Sequence, residues 1–326
     1  MIPVIYKLLA IFIIAILIYK YFIKFNRRKY LTNKYFKDYE QNIKTIKNDG
    51  RIFVSIASYR DPQLIETVNS LLNNCSDSST LSIVICEQND PTDTFSYNNK
   101  LSNISMLRMP SKLARGPCWA RYLIQQKWQG EQYYLQIDSH TRFVQDWDIK
   151  LKSDLSTLSP LSCLSNYVST YDMKTGNVLK SPLRGPMYVT KIEKDNFLRF
   201  NAPYVKSLNK ATLSKGWSGC FSFSSSQIIL DAPYDPNTPF LFFGEEMDIF
   251  ARLWTRGWQM YVPSVPICFT LFDRSYRKTF WEHPDYTDVS KLSRERLYHR
   301  FRVAEPNNAY SLGSKRTMDD FMKYIR

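Results

Sequence analysis

Several features are scarce in this 326-residue sequence. Its six cysteines lie far apart, at positions 75, 86, 118, 163, 220 and 268, and no CxxC pair or other zinc-type spacing occurs. We therefore expect no cysteine-based metal site. Disulfides and free thiols both stay open, with free thiols favoured because Cys86 and Cys268 lie in strand-like runs. Low-complexity disorder is excluded by a hydrophobic fraction of 44%.

The basic charge is unevenly distributed along the chain. Lys and Arg outnumber Asp and Glu by 44 to 30, which gives a net charge of +14. Residues 1–50 hold ten basic and three acidic residues, so half of the excess lies there. The other half of the excess positive charge, in residues 51–326, fits an ordinary basic surface or a site for an anionic cofactor. This distribution argues against a nucleic-acid partner.

The N-terminal segment is strongly apolar. Residues 2–25 read IPVIYKLLAIFIIAILIYKYFIKF, and about 20 apolar residues span a bilayer. We predict a transmembrane anchor over residues 1–25, a stem over 26–50 and one globular domain over 51–326. A buried or interfacial helix is the alternative. The anchor implies a single-pass membrane protein, and we expect a Golgi- or ER-type membrane with its orientation open. Lysines and arginines that follow it favour a cytoplasmic domain, whereas a Golgi enzyme needs the opposite orientation.

The pattern after residue 50 predicts an α/β fold. Apolar, β-rich runs at residues 51–59, 81–88 and 133–137 indicate strands. Helical spacing of Leu64, Val68, Leu71 and Leu72, and of the apolar residues within 119–129, indicates helices between them. Repeated β–α–β units imply a mostly parallel sheet covered by helices. A further helix is expected over residues 245–255, and the last forty residues are expected to form a helical tail or cover.

Polar clusters follow three of these strands, where open α/β sheets bind ligands. They are Ser58-Tyr59-Arg60-Asp61, Glu87-Gln88-Asn89-Asp90 and Asp138-Ser139-His140. Alternate residues at a strand end point to one side, so Asp138 and His140 form a candidate metal pair. Their oxygen and nitrogen atoms suit Mn²⁺ better than Ca²⁺. The alternative is a turn cap at Asp138 and a surface histidine.

Three further patterns are candidates for the same site. Glu245 and Glu246 begin a predicted helix, although the helix dipole alone favours acidic residues there. Arg115 and the Gly-Pro turn after it begin another predicted helix. The free N–H groups at this helix start could bind a diphosphate, and the alternative is an ordinary helix start. Asp273 and Arg274 follow a predicted strand and lie in a loop. This loop either closes over a bound substrate or is an ordinary solvent-exposed loop.

Taken together, these segments resemble the polypeptide N-acetylglucosaminyltransferase family. The resemblance runs in order from about residue 52 to 283, through IFVSIASYRDP, ARGPCWARY, EQYYLQIDSHTRFVQDWD, GWSGCFSFS, FFGEEMDIFARLWTRGW and DRSYRKTFWEH. It implies a GT-A fold (a Rossmann-like mixed sheet with flanking helices), UDP-GlcNAc as donor, a divalent metal, and retention of the α-configuration. Known members modify hydroxyproline of a ubiquitin-ligase subunit or threonine of mucin-like proteins.

The resemblance also implies roles for individual residues. Combined with the strand-end clusters, it predicts a nucleotide-sugar site of Ser58, Tyr59, Arg60, Asp61, Glu87, Arg115, Asp138, Trp217 and Arg274. Asp138 and His140 are the predicted metal ligands, and Glu245 and Glu246 are the predicted catalytic residues. The family often carries a further histidine where this chain has Thr270, so we add Asp273 as a substitute ligand.

The sequence therefore predicts a retaining glycosyltransferase that uses Mn²⁺ or Mg²⁺. It transfers GlcNAc from UDP-GlcNAc to a hydroxyl of hydroxyproline, threonine or serine in a polypeptide, or of a glycan. One alternative is a transferase of the same fold with another UDP-sugar. The other, motivated by Thr270, is a catalytically degenerate module that binds a glycan or a protein.

Overall fold

A computed structural model describes residues 4–37, 39, 43–98, 101–179, 181–193, 197–303, 305 and 308–326. The helices are α1 (Val4–Tyr35), α2 (Leu64–Asn73), α3 (Pro117–Gln125), α4 (Trp147–Ser156), α5 (Gln227–Asp231), α6 (Glu245–Thr255), α7 (Tyr286–Arg302) and α8 (Met318–Ile325). The strands are β1 (Ile52–Tyr59), β2 (Leu81–Asn89), β3 (Ile104–Pro110), β4 (Tyr133–Asp138), β5 (Thr141–Phe143), β6 (Ser162–Ser165), β7 (Ser169–Thr170), β8 (Leu183–Arg184), β9 (Tyr188–Ile192), β10 (Leu198–Asn201), β11 (Tyr204–Val205), β12 (Thr212–Ser214), β13 (Phe221–Ser225), β14 (Gln259–Val262) and β15 (Cys268–Thr270).

An eight-stranded mixed sheet forms the centre of the fold, as predicted. Its order is β12-β14-β6-β13-β4-β1-β2-β3, and β3, β2, β1 and β4 run parallel. Ala57 of β1 lies opposite Asp138 of β4, and Ser58 lies opposite Glu87 of β2. The carboxyl ends of these three strands therefore meet at one edge of the sheet.

The parallel strands are held by apolar packing on both faces. Ile52, Val54 and Ile56 of β1 are buried in one hydrophobic cluster, and Phe53 is buried in a second. Burial on both faces explains why these strands read as continuous apolar runs. Leu64 and Val68 of α2 cover one face, which confirms the helix that their spacing predicted.

Two predicted elements differ from the observed ones. Helix α3 spans Pro117–Gln125 rather than residues 119–129, because Pro117 is favoured in the first turn and the helix ends well before Gly130 at φ +94°. Trp128, predicted on the inner face of the helix, is buried just beyond its end. Strand β3 was not predicted, because this edge strand has one buried position, Ile104, and the rest of it is half-buried or exposed.

The predicted anchor falls on α1. A search of the described residues finds no helix that combines the length and apolar character needed to span a bilayer. The transmembrane prediction for residues 1–25 is therefore not supported, and from Lys20 onward α1 carries repeated basic residues that lower its hydropathy. Residues 1–3 of the predicted anchor, and 38 and 40–42 of the predicted stem, lie outside the described residues.

The carboxyl-terminal half of α1 lies against α7. Arg27 pairs with Asp288 (2.6 Å) and Lys34 with Asp285 (2.8 Å), while Leu31 is buried between the helices. These contacts join part of the predicted stem to the globular part of the chain. The domain boundaries themselves stay a prediction.

Helix α7 also contacts α6 and the segment that precedes it. Its Arg296 and Arg300 pair with Asp235, and Arg300 also pairs with Asp248 of α6 at 2.5 Å. Arg300 and both carboxylates are buried. Helix α7 thus presents carboxylates to α1 and guanidinium groups to α6.

All six cysteines are free thiols, and five of them are buried. Burial raises the pKa of the Cys163 thiol to about 12. They therefore act as small apolar side chains in the core.

Candidate functional site

A cavity of about 460 Å³ lies at the edge where β1, β2 and β4 end. The strand ends supply Ala57, Tyr59, Gln88 and Asp138, and Glu245 and Glu246 at the start of α6 line the opposite part of the wall. The sheet register therefore brings together residues that are more than 180 positions apart in the sequence. The predicted strand-end site and the predicted α6 corner share one cavity.

Asp61, His140 and Asp138 form a chain of polar contacts at this edge. The His140 Nδ1 lies 2.7 Å from the Asp61 Oδ2, and its Nε2 lies 3.6 Å from the Asp138 Oδ2. Asp61 is fully buried, whereas the Asp138 side chain is 25% exposed. In the neutral tautomer with its proton on Nδ1, His140 donates to Asp61, and the Nε2 lone pair lies on the side of Asp138.

Asp61 is held in place by several donors. The Ser139 hydroxyl donates to it at 2.7 Å, the Tyr276 hydroxyl at 3.2 Å, and Arg277 forms an ion pair at 3.3 Å. Burial raises the pKa of Asp61, but the hydrogen bonds from His140 and Ser139 and the charge of Arg277 outweigh it and bring the pKa below its usual value. Asp61 thus stays ionised as an orienting group for His140, and it does not line the cavity.

Asp138 and His140 fit a divalent cation as a two-residue site. The buried His140 Nε2 has no hydrogen-bond partner within the described part of the chain, and a carboxylate oxygen lies beside it. An imidazole oriented by a buried carboxylate is the usual arrangement of a metal-binding histidine. Two protein ligands leave the remaining positions for substrate oxygens and water, as hard cations at phosphate sites prefer.

Neither Thr270 nor Asp273 completes a three-residue set. The Thr270 hydroxyl is buried and donates to the His140 backbone oxygen at 3.4 Å. Asp273 is exposed and accepts from the backbone and hydroxyl of Ser275. Over the ranges that the structure describes, no group of three His, Cys, Asp or Glu side chains is placed to hold a metal. Asp273 is therefore not brought to the pair as the substitute ligand that the sequence suggested.

Arg121 connects Asp138 with α6. Its Nη1 donates to Glu245, and its Nη2 lies 3.2 Å from the Asp138 Oδ1 and 2.8 Å from the Gly219 oxygen. Glu245 also accepts from the Tyr234 hydroxyl at 2.7 Å. Burial raises the pKa of Glu245 despite the opposing charge of Arg121. The buried guanidinium thus fixes the spacing between Asp138 and Glu245.

Glu246 has a different environment. It accepts from the Tyr167 hydroxyl, and from the Gly219 backbone N–H at 3.1 Å. Burial raises its pKa to about 7, and the charge of Glu245 adds to the effect. This carboxyl group therefore changes its protonation near neutral pH while it faces the cavity.

The other predicted donor-binding residues are divided between the cavity and its surroundings. Tyr59 lines the cavity, as does Arg274, whose guanidinium lies over the rings of Phe242 (5.3 Å) and Trp281 (5.6 Å). Ser58 is buried beneath them. Arg60 pairs with Asp93 at 2.7 Å and lines an adjoining groove of about 640 Å³ instead.

Three predicted residues lie away from the cavity. Glu87 is buried and accepts from Ser96, the Tyr97 backbone and Arg108, so it anchors a loop. Trp217 is 1% exposed and donates to the Ser222 hydroxyl within the core. Arg115, just before α3, donates to the Tyr39 hydroxyl at 3.0 Å and does not line the cavity. Local sequence could not tell these packing roles from ligand binding.

Sequence reasoning missed several cavity residues, among them Arg121, Tyr167 and Arg277. Arg121 stands in the ARGPCWARY run but was assigned no role, yet it follows Pro117 by one helical turn and so lies on the same, cavity-facing side of α3. Tyr167 lies in a segment without a recognisable pattern. Arg277 was available in the DRSYR run, four residues after Asp273, but only its ion pair with Asp61 reveals its place.

The family model described as "Glycosyltransferase (GlcNAc)" matches residues 51–102 and 97–326. A search of the curated proteins found no match.

Among solved structures, that of GalNAc-T7 with UDP, GalNAc and Mn²⁺ is similar, with a TM-score of 0.53, 15% identity, and coverage of 84% of this chain and 57% of that one. TarS 1-349 of S. aureus in complex with UDP-GlcNAc has a TM-score of 0.48, 13% identity, and coverage of 74% and 65%. The chain spans less than two thirds of either structure. The first likeness concerns the fold alone, and the second is too weak for any inference.

Proposed function

This chain belongs to the GlcNAc glycosyltransferase family, and from that premise we propose that it transfers N-acetylglucosamine from UDP-GlcNAc to a hydroxyl group of a polypeptide or glycan, with a divalent cation held by Asp138 and His140. The observation that carries the proposal is the His140 imidazole, oriented by buried Asp61 with its Nε2 beside the Asp138 carboxylate.

The cation, when bound, supplies positive charge to the diphosphate of the departing UDP. Asp138 offers an oxygen ligand and His140 a nitrogen ligand, a mixed set that suits Mn²⁺. Asp61 fixes the tautomer and the ring orientation of His140, so that Nε2 is available without rearrangement.

Arginine side chains complement the rest of an anionic donor. Arg274 and Arg277 both line the cavity, and guanidinium groups bind phosphate oxygens in a directed, often bidentate manner. Arg277 is held by Asp61 and by the Tyr59 backbone oxygen at 3.0 Å, so it is already positioned. We assign both residues to the diphosphate.

Glu245 and Glu246 belong to the sugar and acceptor end of the cavity in this proposal. Arg121 and Tyr234 hold Glu245 in one orientation, which suits a fixed contact with a sugar hydroxyl. Glu246 is partly exposed to the cavity, and its pKa of about 7 lets it accept a hydrogen bond or a proton from an acceptor hydroxyl. Attack from the face of the leaving group accounts for retention without a covalent nucleophile.

UDP release by the full chain tests the proposal. A panel of UDP-sugars is assayed with Mn²⁺ or with EDTA, for the wild type, for Asp138→Ala, and for Asp273→Ala as a matched carboxylate control. We expect metal-dependent turnover of UDP-GlcNAc that Asp138→Ala abolishes and Asp273→Ala retains. Turnover of another UDP-sugar without turnover of UDP-GlcNAc would change the assigned donor. No release from any sugar, with no UDP binding by calorimetry, would refute the proposal.

A further inference from the structure

A group of aromatic side chains from the N-terminal segment lies behind the cavity wall. Tyr35, in the last turn of α1, is 3% exposed, and its ring meets Phe240 edge-on at 5.6 Å between centroids. Phe240 belongs to the same buried cluster as Phe280, which lines the cavity. The family match begins at residue 51, so Tyr35 lies outside the part of the chain that carries the family pattern.

Phe240 touches the start of α3 through its backbone. A Cβ atom placed on Gly116, the residue before α3, would lie 2.9 Å from the Phe240 Cα. Gly116 has φ +84° and Phe240 has φ +56°, so both adopt a left-handed conformation in order to pack this closely. A shift of Phe240 therefore moves the beginning of α3, and Arg121 lies one turn further along that helix.

A second contact from the N-terminal segment reaches α3 directly. The Arg115 guanidinium lies 5.4 Å from the Tyr35 ring, over its face, and Arg115 donates to the Tyr39 hydroxyl at 3.0 Å. The Tyr39 ring also meets Tyr122 edge-on at 5.4 Å. The two tyrosines thus hold residues on either side of Pro117 and Arg121.

Helix α7 keeps Tyr35 in its place. The Tyr35 hydroxyl donates to Asp285 at 2.7 Å, and Lys34 donates to the same carboxylate at 2.8 Å. Both the ring and the hydroxyl of Tyr35 are therefore engaged, the ring with the cavity wall and the hydroxyl with α7.

We propose that Tyr35 is a positioning residue for the transfer site. Its ring holds Phe240 and Arg115, these hold the start of α3, and α3 in turn places Arg121 between Asp138 and Glu245. The N-terminal helix is then a functional part of the site rather than a tether. This inference rests on the proposed function, because the site that Tyr35 supports is the one assigned to donor and metal.

Full-chain variants test it through two readouts, UDP release from UDP-GlcNAc and Mn²⁺ affinity by calorimetry. We expect Tyr35→Ala to lower kcat between about tenfold and a hundredfold, since small misplacements remote from the chemistry have effects of that size. Mn²⁺ affinity should fall in the same variant, because Arg121 no longer fixes Asp138. Tyr35→Phe keeps the ring and should retain most activity. Tyr30→Ala, on the exposed side of α1, should match the wild type.

A folded Tyr35→Ala protein with wild-type kcat and Mn²⁺ affinity would overturn the inference, whatever its thermal stability. If Tyr35→Ala does not fold, Tyr35→Leu is measured by the same criteria. A wild type that neither releases UDP from any UDP-sugar nor binds UDP refutes the proposed function instead, and the Mn²⁺ titrations of wild type and variant then decide whether Tyr35 positions the Asp138 and His140 pair.

Discussion

Replacing Glu246 with glutamine should make the protein more stable at alkaline pH. Burial raises the pKa of Glu246 from 4.5 to about 7, so the folded chain favours the neutral form. The stability that this group contributes is complete below about pH 4.5 and is lost as the pH rises through about 7. Glutamine has nearly the same shape, stays neutral, and accepts from the Gly219 N–H through its amide oxygen.

The size of the effect follows from the two pKa values. Each pKa unit is worth about 1.36 kcal/mol, so complete ionisation in the folded state costs roughly 3 kcal/mol. The side chain is partly exposed to the cavity, and solvent reduces this to about 2 kcal/mol. For a chain of this size that corresponds to roughly 4 °C in Tm.

Urea denaturation of Glu246→Gln and of wild type at pH 5 and pH 8 measures the effect. The free energy of unfolding of the variant relative to wild type should increase by about 2 kcal/mol between these pH values. Glu66→Gln, at an exposed position of α2, is the matched control and should show no such increase. The burial argument would be refuted if the free energy of unfolding of the variant relative to wild type were the same at both pH values, or if it decreased from pH 5 to pH 8. The same variant should lose kcat in the UDP-release assay.

Three further outcomes are expected. Asp61→Asn should lower Mn²⁺ affinity about 10- to 100-fold in calorimetry, because His140 loses its orienting carboxylate; unchanged affinity would remove Asp61 from the site. Arg121→Lys should lower kcat more than it raises KM, since one ammonium cannot contact Asp138 and Glu245 together; equal effects on both would contradict that bridge. Gly116→Ala should lower Tm by several degrees because a Cβ collides with the Phe240 backbone; a wild-type melting curve would show that the contact is relaxed.

The central sheet was predictable because its strands are buried on both faces. The runs ending at Tyr59 and Gln88 contain almost no polar interruptions, and the helix at Leu64–Asn73 follows at helical spacing. The eleven-residue helix Glu245–Thr255 was predicted with both ends correct, because Gly244 precedes it and apolar residues recur on its inner face. Strand β3 was not predicted because the hydrophobic pattern of an edge strand is weak.

The grouping of Asp138 and His140 with the α6 carboxylates followed from strand ends and from the family resemblance. What the sequence could not supply was the direction of each side chain. Asp61 turned out to be buried beside His140, and Arg115 contacts Tyr35 and Tyr39, whereas Arg121 lines the cavity. Arg115 and Arg121 are only six residues apart, yet the first packs against neighbouring side chains and the second belongs to the site.

The ion pairs on the two charged faces of α7 respond differently to ionic strength. The pair between Arg27 and Asp288 is about half exposed on both sides, while Arg300 and Asp235 are almost fully enclosed. At 1 M salt the screening length falls to about 3 Å, which weakens exposed pairs far more than buried ones. Rising salt will therefore loosen the attachment of α1 before it disturbs the packing of α7 on α6, so that salt concentration alone separates the two interfaces of a single helix.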